Sequence, residues 1–139
     1  MIVECVLDAN VIVYAAAGRG SDEWKRQRAL ELLEETDFAT SAQVLQEFYV
    51  VVTRKAHIAM PPSEAAEWVE RLSLRPVAVV DDALVKQAIH LSARHQISYW
   101  DAAVIAAARN LGAPVLYSED LSHGHFYADV QVLNPFRPT

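Results

Sequence analysis

The sequence predicts an α/β fold, with a central, mostly parallel sheet of about five strands between two layers of helices. Short apolar segments rich in β-favouring residues alternate along the chain with longer segments of helical periodicity. No hairpin turn signals separate the first four strand candidates, which favours parallel pairing. The chain has 139 residues and is 53% hydrophobic, so we expect residues 1–139 to form one domain with a substantial core.

The first half of the chain is predicted to contain two strands and three helices. Residues 2–7 are mostly apolar and β-favouring, and they predict a central first strand. A short apolar helix over 11–17 follows, and Ser21 or Asp22 can cap the second helix. The segment DFATS predicts the second strand, and apolar residues at helical spacing predict a third helix over 42–55.

The second half begins with a helix start signal, MPPSEAAEWVERL, in which we expect Ser63 to be the N-cap. The segment PVAVV predicts a third strand, and DDALVKQAIHLSARH predicts an amphipathic helix. The next helix, YWDAAVIAAARNLG, is apolar on every face after its first turn, so it should be buried and should end at Gly112. The segments APVLY and VQVLN are expected to complete the sheet as short strands.

Composition and charge limit the classes of function. The net charge of −6 and the isoelectric point near 5.3 argue against nucleic-acid binding through an overall positive field. No apolar run approaches the roughly 18 to 20 residues that span a bilayer, so we expect a soluble, cytoplasmic protein without a membrane anchor. The single cysteine, Cys5, excludes an intramolecular disulfide, and we expect it to be a buried core residue.

The carboxylates are the most informative polar residues. Asp8 follows the first strand, at the sheet edge where α/β proteins bind ligands, although Asp8 or Asn10 could equally cap the next helix. Asp101 opens the buried helix, where it could complete a capping box with Ser98 or bind a metal ion. Asp120 also follows a strand, and by itself it is more typical of a turn or a cap.

Two glutamates complete the acidic set. Glu47 lies inside the third helix beside apolar neighbours, at the predicted edge of the buried face, and Glu119 precedes Asp120. Several acids delivered to one crevice would repel one another unless a cation were bound. Oxygen ligands suit Mg²⁺ or Mn²⁺, and water activated by such an ion hydrolyses phosphodiesters. The acids therefore favour a metal-dependent phosphodiesterase if they converge.

Four segments in this order resemble the PIN-domain ribonucleases, in particular the VapC-type toxins of toxin-antitoxin pairs: VLDANVIVYA, TSAQVLQEFYVV, SYWDAAVIAAA and LYSEDLSHG. The resemblance implies a PIN-like three-layer α/β/α sandwich and an endoribonuclease that cleaves RNA. It also implies a cognate antitoxin and a homodimer. Carried onto this sequence, it makes Asp8, Glu47, Asp101 and Asp120 the catalytic acids that bind Mg²⁺ or Mn²⁺. Asn10, Ser118 and Glu119 take supporting roles.

Other polar and aromatic residues have no role that the sequence defines. We expect His123 and His125 to belong to a loop near the site and not to bind metal, and Trp24 and Trp68 to be packing or interface residues. Six basic residues could contact the RNA backbone, although exposed basic residues are more often solvated surface: Arg19, Lys25, Arg26, Arg28, Arg54 and Lys55.

Two other functions compete with the nuclease. A phosphatase of the haloacid dehalogenase type also begins with an aspartate after its first strand, but it needs a second acid two residues later, where this chain has Asn10. A non-catalytic module that binds RNA or a partner protein would tolerate neutralised acids. Loss of function on neutralising Asp101 or Asp120 distinguishes the enzyme from the binding module.

Overall fold

The computed structural model describes residues 2–137. Strands and helices alternate through most of this range, as the sequence predicts, and a 3₁₀ turn at Gly20–Asp22 precedes the second helix. In chain order the elements are β1 Cys5–Leu7, α1 Ala9–Ala17, α2 Glu23–Glu35, β2 Phe38–Ser41, α3 Ala42–Arg54, α4 Pro62–Leu72, β3 Val77–Ala78, α5 Asp82–His95, α6 Tyr99–Asn110, β4 Val115–Tyr117, β5 Phe126–Tyr127 and β6 Val130–Leu133.

The strands form one sheet in the order β3-β2-β1-β4-β6-β5. All neighbours pair in parallel except β5, which pairs antiparallel with β6. The α/β class and the mostly parallel sheet are therefore confirmed. The chain leaves β1 towards β2 and β3 on one side, whereas β4 and β6 lie on the other. The crevice between the carboxyl ends of β1 and β4 is thus the topological switch point, where sheets of this kind bind ligands.

The core is built from the apolar face of each helix and the buried side chains of the strands. Helix α6 is buried over 102–108, as its all-apolar sequence predicts, and it packs against α5 and against β3, β4 and β6. Helix α1 contacts α2 and α3. Cys5 is 2% exposed and is an unpaired core thiol, as predicted. Gly112 follows α6 with φ of +71°, a left-handed conformation that favours glycine.

The structure differs from the sequence predictions mainly at element ends. Helix α1 begins at Ala9, two residues earlier than predicted, because Asp8 is its N-cap. The prediction that Ser63 caps α4 is wrong: the helix begins at Pro62, whose fixed φ suits the first helical position. Asp22 precedes α2 without a side-chain capping bond.

The sheet also has one strand that the sequence did not reveal, and its predicted strands are shorter than expected, as in β1, which begins at Cys5 and not at residue 2. Strand β5 has two residues and completes a tight antiparallel pair with β6. Strand β3 covers only Val77–Ala78 of PVAVV, and the next residues, Val79 and Val80, are exposed. Within the described residues, no helix combines the length and the hydrophobicity needed to cross a membrane.

Candidate active site

The switch point brings together four polar side chains from the segments that follow two adjoining strands, β1 and β4. We call these four residues the strand-end network: Asp8, Asn10, Ser118 and Asp120. The register pairs Leu7 with Tyr117, so the residues that follow each strand emerge side by side. The Asp8 amide donates to the Tyr117 carbonyl at 3.0 Å and extends this ladder by one bond. Backbone pairing therefore fixes the positions of residues that are 110 apart in sequence.

Asp8 is the buried member of the network, with 6% of its surface exposed. One carboxylate oxygen, Oδ1, accepts from the Ala9 amide at 2.8 Å, and Oδ2 accepts from the Ser118 hydroxyl at 2.8 Å. Burial raises the pKa of Asp8 from its ordinary 3.8 to about 6, and the negative charges of Glu47 and Asp120 add to the rise, while the two hydrogen bonds oppose it. Capping α1 and belonging to a site are therefore compatible roles for this residue.

Ser118 and Asn10 connect Asp8 to Asp120. The fully buried Ser118 hydroxyl, besides donating to Asp8, accepts from the Asp120 amide at 3.2 Å. The Asn10 amide group donates to Asp120 Oδ2 at 3.0 Å, and its Oδ1 accepts from the Glu119 amide at 3.2 Å. Asn10 thus ties the turn of α1 to the loop after β4. Asp120 itself is exposed, so its carboxylate faces the open side of the crevice.

Glu47 and Asp101 approach the same edge from helices, and we call them, with Gln43, the helix side. Helix α3 leaves the carboxyl end of β2 directly, and α6 leads towards the amino end of β4, so both helices begin at this edge of the sheet. Ser98 caps α6 by accepting from the Asp101 amide at 3.1 Å, which is half of the capping box that the sequence left open beside metal binding. Both acids are half-buried.

The sequence reasoning missed Gln43, which joins the two helices of this side. Its Nε2 donates to Glu47 Oε1 at 3.0 Å and to the Trp100 carbonyl at 3.2 Å, and the residue is 6% exposed. A buried amide one turn before a glutamate on the same helix was the available signal, because residues four apart share a helix face. The Trp100 indole, 64% exposed beside Asp101, also had no predicted role.

Glu119 is held by an ion pair, so it neither joins the other acids nor simply faces solvent. Its carboxylate accepts from Lys25 Nζ at 2.6 Å and from the Tyr14 hydroxyl at 2.9 Å. Lys25 also donates to the Tyr14 hydroxyl at 3.2 Å. This cluster anchors the loop after β4 to α1 and α2, and its salt bridge occupies one of the basic residues proposed from sequence for RNA contact.

A cleft of about 450 Å³ opens over the acids, which we call the site cleft. Asn10, Glu47 and Asp120 line it together with the exposed Lys55 and His57 that follow α3. Cationic side chains beside an acidic group are suited to hold a phosphate backbone close to it. Of the basic residues proposed from sequence, Lys55 is thus placed beside the acids.

The donor set fits a hard divalent cation in its chemistry, because the four acids offer oxygen ligands alone. The raised pKa of Asp8 reflects first its burial and then the negative charges of Glu47 and Asp120, and a bound cation would stabilise its ionised form. Among residues 2–137, however, no group of three or more His, Cys, Asp or Glu side chains is placed closely enough to hold a metal ion. The charges of Glu47 and Asp120 act on Asp8, and Asp101 adjoins Glu47 through Trp100 and Gln43.

The histidines and Trp68 have structural contacts. His123 Nδ1 accepts from the Asn134 amide at 2.9 Å, which ties the loop after β4 to the end of β6. The ring of His125 packs 4.4 Å from that of Tyr127. Trp68 packs beside Phe48 in the core, as predicted.

Fold and site together define a class: α/β proteins with an acid-lined crevice at the switch point of a mostly parallel sheet. The family model of the PIN domain matches residues 5–127. The chain belongs to the PIN domain family, and the resemblance found in the sequence is confirmed. A search of curated proteins gave no significant match.

Solved structures of toxin-antitoxin proteins share the fold. VapC20 of Mycobacterium tuberculosis, described as a toxin that cleaves the sarcin-ricin loop, aligns with a TM-score of 0.69 and 21% identity over 84% of this chain and 90% of its own. A toxin-antitoxin complex from Klebsiella pneumoniae aligns with a TM-score of 0.71 and 17% identity over 97% and 100%. VapBC2 of Rickettsia felis, bound to a promoter DNA fragment, gives 0.65 and 15% over 94% and 97%.

Proposed function

We propose that this protein is a metal-dependent endoribonuclease that acts as the toxin of a toxin-antitoxin pair. The observation that carries the proposal is the convergence of Asp8, Glu47 and Asp120 on the switch-point crevice of a PIN domain, where burial raises the pKa of Asp8 and the charges of Glu47 and Asp120 add to the rise. Membership of the family and the toxin neighbours support the ribonuclease over a phosphatase. Asn10 also occupies the position where a dehalogenase-type phosphatase requires an acid.

Asp8, Glu47, Asp101 and Asp120 would hold Mg²⁺ or Mn²⁺. When bound, the cation supplies activation of water and charge stabilisation of the leaving oxygen. Ser118 fixes the orientation of the Asp8 carboxylate, and Asn10 does the same for Asp120. The Glu47 carboxylate, steadied by Gln43, positions the attacking water and accepts its proton. Lys55 and His57 face the RNA backbone across the site cleft.

The proposed partners are an RNA substrate, a cognate antitoxin and a second copy of the chain. The Klebsiella pneumoniae neighbour is a toxin-antitoxin complex and matches over 97% of this chain, which supports the antitoxin. An antitoxin holds such a toxin inactive until it is removed, and the RNA target places the activity in the cytoplasm. A toxin of this kind is proposed to form a homodimer.

The direct test is cleavage of a panel of single-stranded and structured RNAs by antitoxin-free protein, with Mg²⁺, with Mn²⁺ and with chelator. We expect Asp8→Asn to lower the cleavage rate by at least roughly 100-fold, comparable to the loss of other groups that stabilise charge in a transition state. Asp82→Asn is the matched control, because Asp82 is exposed on α5, where it pairs with Lys86 and takes no part in the hydrogen bonds of the site. Hydrolysis by activated water should leave 5′-phosphate and 3′-hydroxyl ends.

Two results would contradict the proposal. A 2′,3′-cyclic phosphate end would show attack by the ribose hydroxyl and not by water. Full toxicity of Asp101→Asn and Asp120→Asn variants in cells would show that the acids are dispensable, and it would leave a module that binds RNA or a partner without cleaving.

A further inference from the structure

A second cleft, of about 630 Å³, lies at the same edge of the sheet as the acids, and we call it the Trp24 cleft. Its lining includes Trp24 and Arg28 of α2, Tyr117 at the end of β4, and His123, Asn134 and Arg137 from the loops after β4 and β6. Its volume is within the roughly 300 to 1,000 Å³ typical of small-ligand sites. Tyr117 directly precedes Ser118, so this cleft adjoins the strand-end network at the carboxyl end of β4.

The cleft presents positive groups on a protein whose net charge is −6. Arg137 is exposed and forms no ion pair within residues 2–137. Because His123 Nδ1 accepts from the Asn134 amide, Nε2 of that ring is the atom that carries a proton and can donate. Arg28 is fixed by its bond to the Pro135 carbonyl at 3.2 Å and by Glu31 at 3.4 Å. Glu31 also lines the cleft and offsets the charge of Arg28, so Arg137 and the Nε2 donor of His123 are the groups suited to a phosphate.

The cleft also presents an aromatic surface. Trp24 is 52% exposed, although it is held by an edge-on contact with Phe136 at 6.3 Å and by Lys25 Nζ, 5.8 Å from its ring centre. Because these contacts already restrict the Trp24 side chain, its exposed indole face can stack on an unpaired base at little further cost in conformational entropy. Positive groups and an exposed aromatic ring together are the usual features of a site for single-stranded nucleic acid.

The Trp24 cleft and the site cleft share one wall. Tyr14 lines the site cleft, Trp24 lines the other, and Lys25 lies over both rings, 4.7 Å from the centre of Tyr14. Lys25 is in turn bonded to Glu119, the residue before Asp120. A strand that crosses this wall from one cleft to the other therefore passes the acids.

We propose that the Trp24 cleft binds an unpaired nucleotide of the RNA substrate, with its base on Trp24 and its phosphate on Arg137 and His123. This subsite rests on the proposed ribonuclease function, because it extends the path of the same RNA beyond the site cleft. It also identifies where an acidic protein meets RNA: hydrogen-bond donors flank the acids on two sides, at Lys55 and His57 in the site cleft and at Arg137 and His123 in the Trp24 cleft.

The test measures RNA binding apart from cleavage, in the Asp8→Asn background. The probe is a fluorescein-labelled oligouridylate about 12 nucleotides long, within the roughly 4 to 16 nucleotides that single-strand sites cover. Trp24→Ala should weaken binding by roughly 5- to 150-fold, the range for losing one base–aromatic stack, and Trp24→Phe should restore most of it. Arg137→Ala should reduce the slope of log affinity against log salt by about 0.7, as expected for one lost phosphate contact.

The matched control is Arg71→Ala, which removes the same charge where α4 ends, near the amino edge of the sheet, and should leave both affinity and salt slope unchanged. Unchanged RNA binding by folded Trp24→Ala would overturn the subsite. An altered oligomeric state of that variant, with normal RNA binding, would assign the cleft to a protein interface and would also overturn it. If Trp24→Ala loses RNA binding but the wild-type protein does not cleave, the subsite holds and the nuclease fails.

Discussion

The strand-end network and the helix side are held in place in different ways. In the strand-end network, four hydrogen bonds connect the four residues, one of them donated by the backbone amide of Asp120, and two neighbouring parallel strands fix their positions. On the helix side, Glu47 and Asp101 lie on separate helices, and within the described residues Gln43 is the side chain that joins these helices at the site.

Of the two sides, the strand-end network is the one whose positions are fixed by backbone pairing. Sheet register places Asp8 beside Ser118 whatever the side chains do, because the backbone of β1 is bonded to that of β4. The positions of Glu47 and Asp101 depend on how α3 and α6 pack. The buried amide of Gln43 connects these two helices at the site. We therefore expect substitutions on the strand-end network to change the charge of the site, and substitutions on the helix side to change its geometry.

The largest expected effect concerns the buried charge of Asp8 in metal-free protein. The native state binds more protons at Asp8 than the unfolded chain between pH 3.8 and about 6, so the free energy of unfolding should fall as pH rises through this window. The difference in pKa corresponds to about 3 kcal/mol. Asp8→Asn should remove that fall, which urea unfolding in chelator at several pH values would measure.

Asparagine can still accept from the Ala9 amide, so this variant should fold. Asp82→Asn, on the surface of α5, should keep the wild-type pH dependence. A wild-type protein whose stability rises through the same window, relative to Asp8→Asn, would show that Asp8 is not a destabilised charge.

The next effect tests the connection within the strand-end network. Ser118→Ala removes the hydroxyl that donates to Asp8, so the pKa of Asp8 should rise above about 6, because that bond holds it down. Stability at neutral pH should fall by roughly 1.5 to 3 kcal/mol, as for other hydrogen bonds to charged groups. Carbon-13 NMR titration of the carboxyl group measures the pKa directly.

Ser73→Ala is the control for this measurement, since the Ser73 hydroxyl donates to the Val69 carbonyl at the end of α4, away from the acids. It should leave the titration of Asp8 unchanged. An unaltered Asp8 pKa in Ser118→Ala would mean that the network does not set the charge of the site.

The smallest of the three effects concerns the helix side. Gln43→Leu keeps the size of the side chain but leaves Glu47 and the Trp100 carbonyl without their donor. We expect cleavage to fall by roughly 10-fold, with more Mg²⁺ needed for half-maximal rate, as for other residues that orient metal ligands. Activity measured across a Mg²⁺ series separates the two changes.

Gln46→Leu, the same substitution at an exposed position of α3, should behave as wild type. If Gln43→Leu lost stability but kept both the rate and the Mg²⁺ dependence, Gln43 would be a packing residue, and the contrast between the two sides would disappear.

By itself the sequence determined the class of fold and the identity of the acids to consider. Apolar patterning and helix start signals predicted five of the six strands and each of the α-helices within the described residues, because a buried strand or helix face requires an apolar pattern locally. The two-residue β5 was not predicted, because it is too short to show an apolar pattern and is stabilised by pairing with β6. The position of Asp8 and Asp120 after strands was likewise visible, because carboxyl ends of parallel strands meet at one edge.

Tertiary structure alone decided how those residues are used. Strand order makes β1 and β4 neighbours, and from this follow the bonds of Asp8 to Ser118 and of Asn10 to Asp120, across more than 100 residues. It also pairs Glu119 with Lys25, which no local pattern could indicate. Local sequence encodes local propensity, whereas contacts between distant segments depend on how complete elements pack. The acids were thus evident from the chain, and their different environments came from the fold, which buries Asp8, half-buries Glu47 and Asp101, and exposes Asp120.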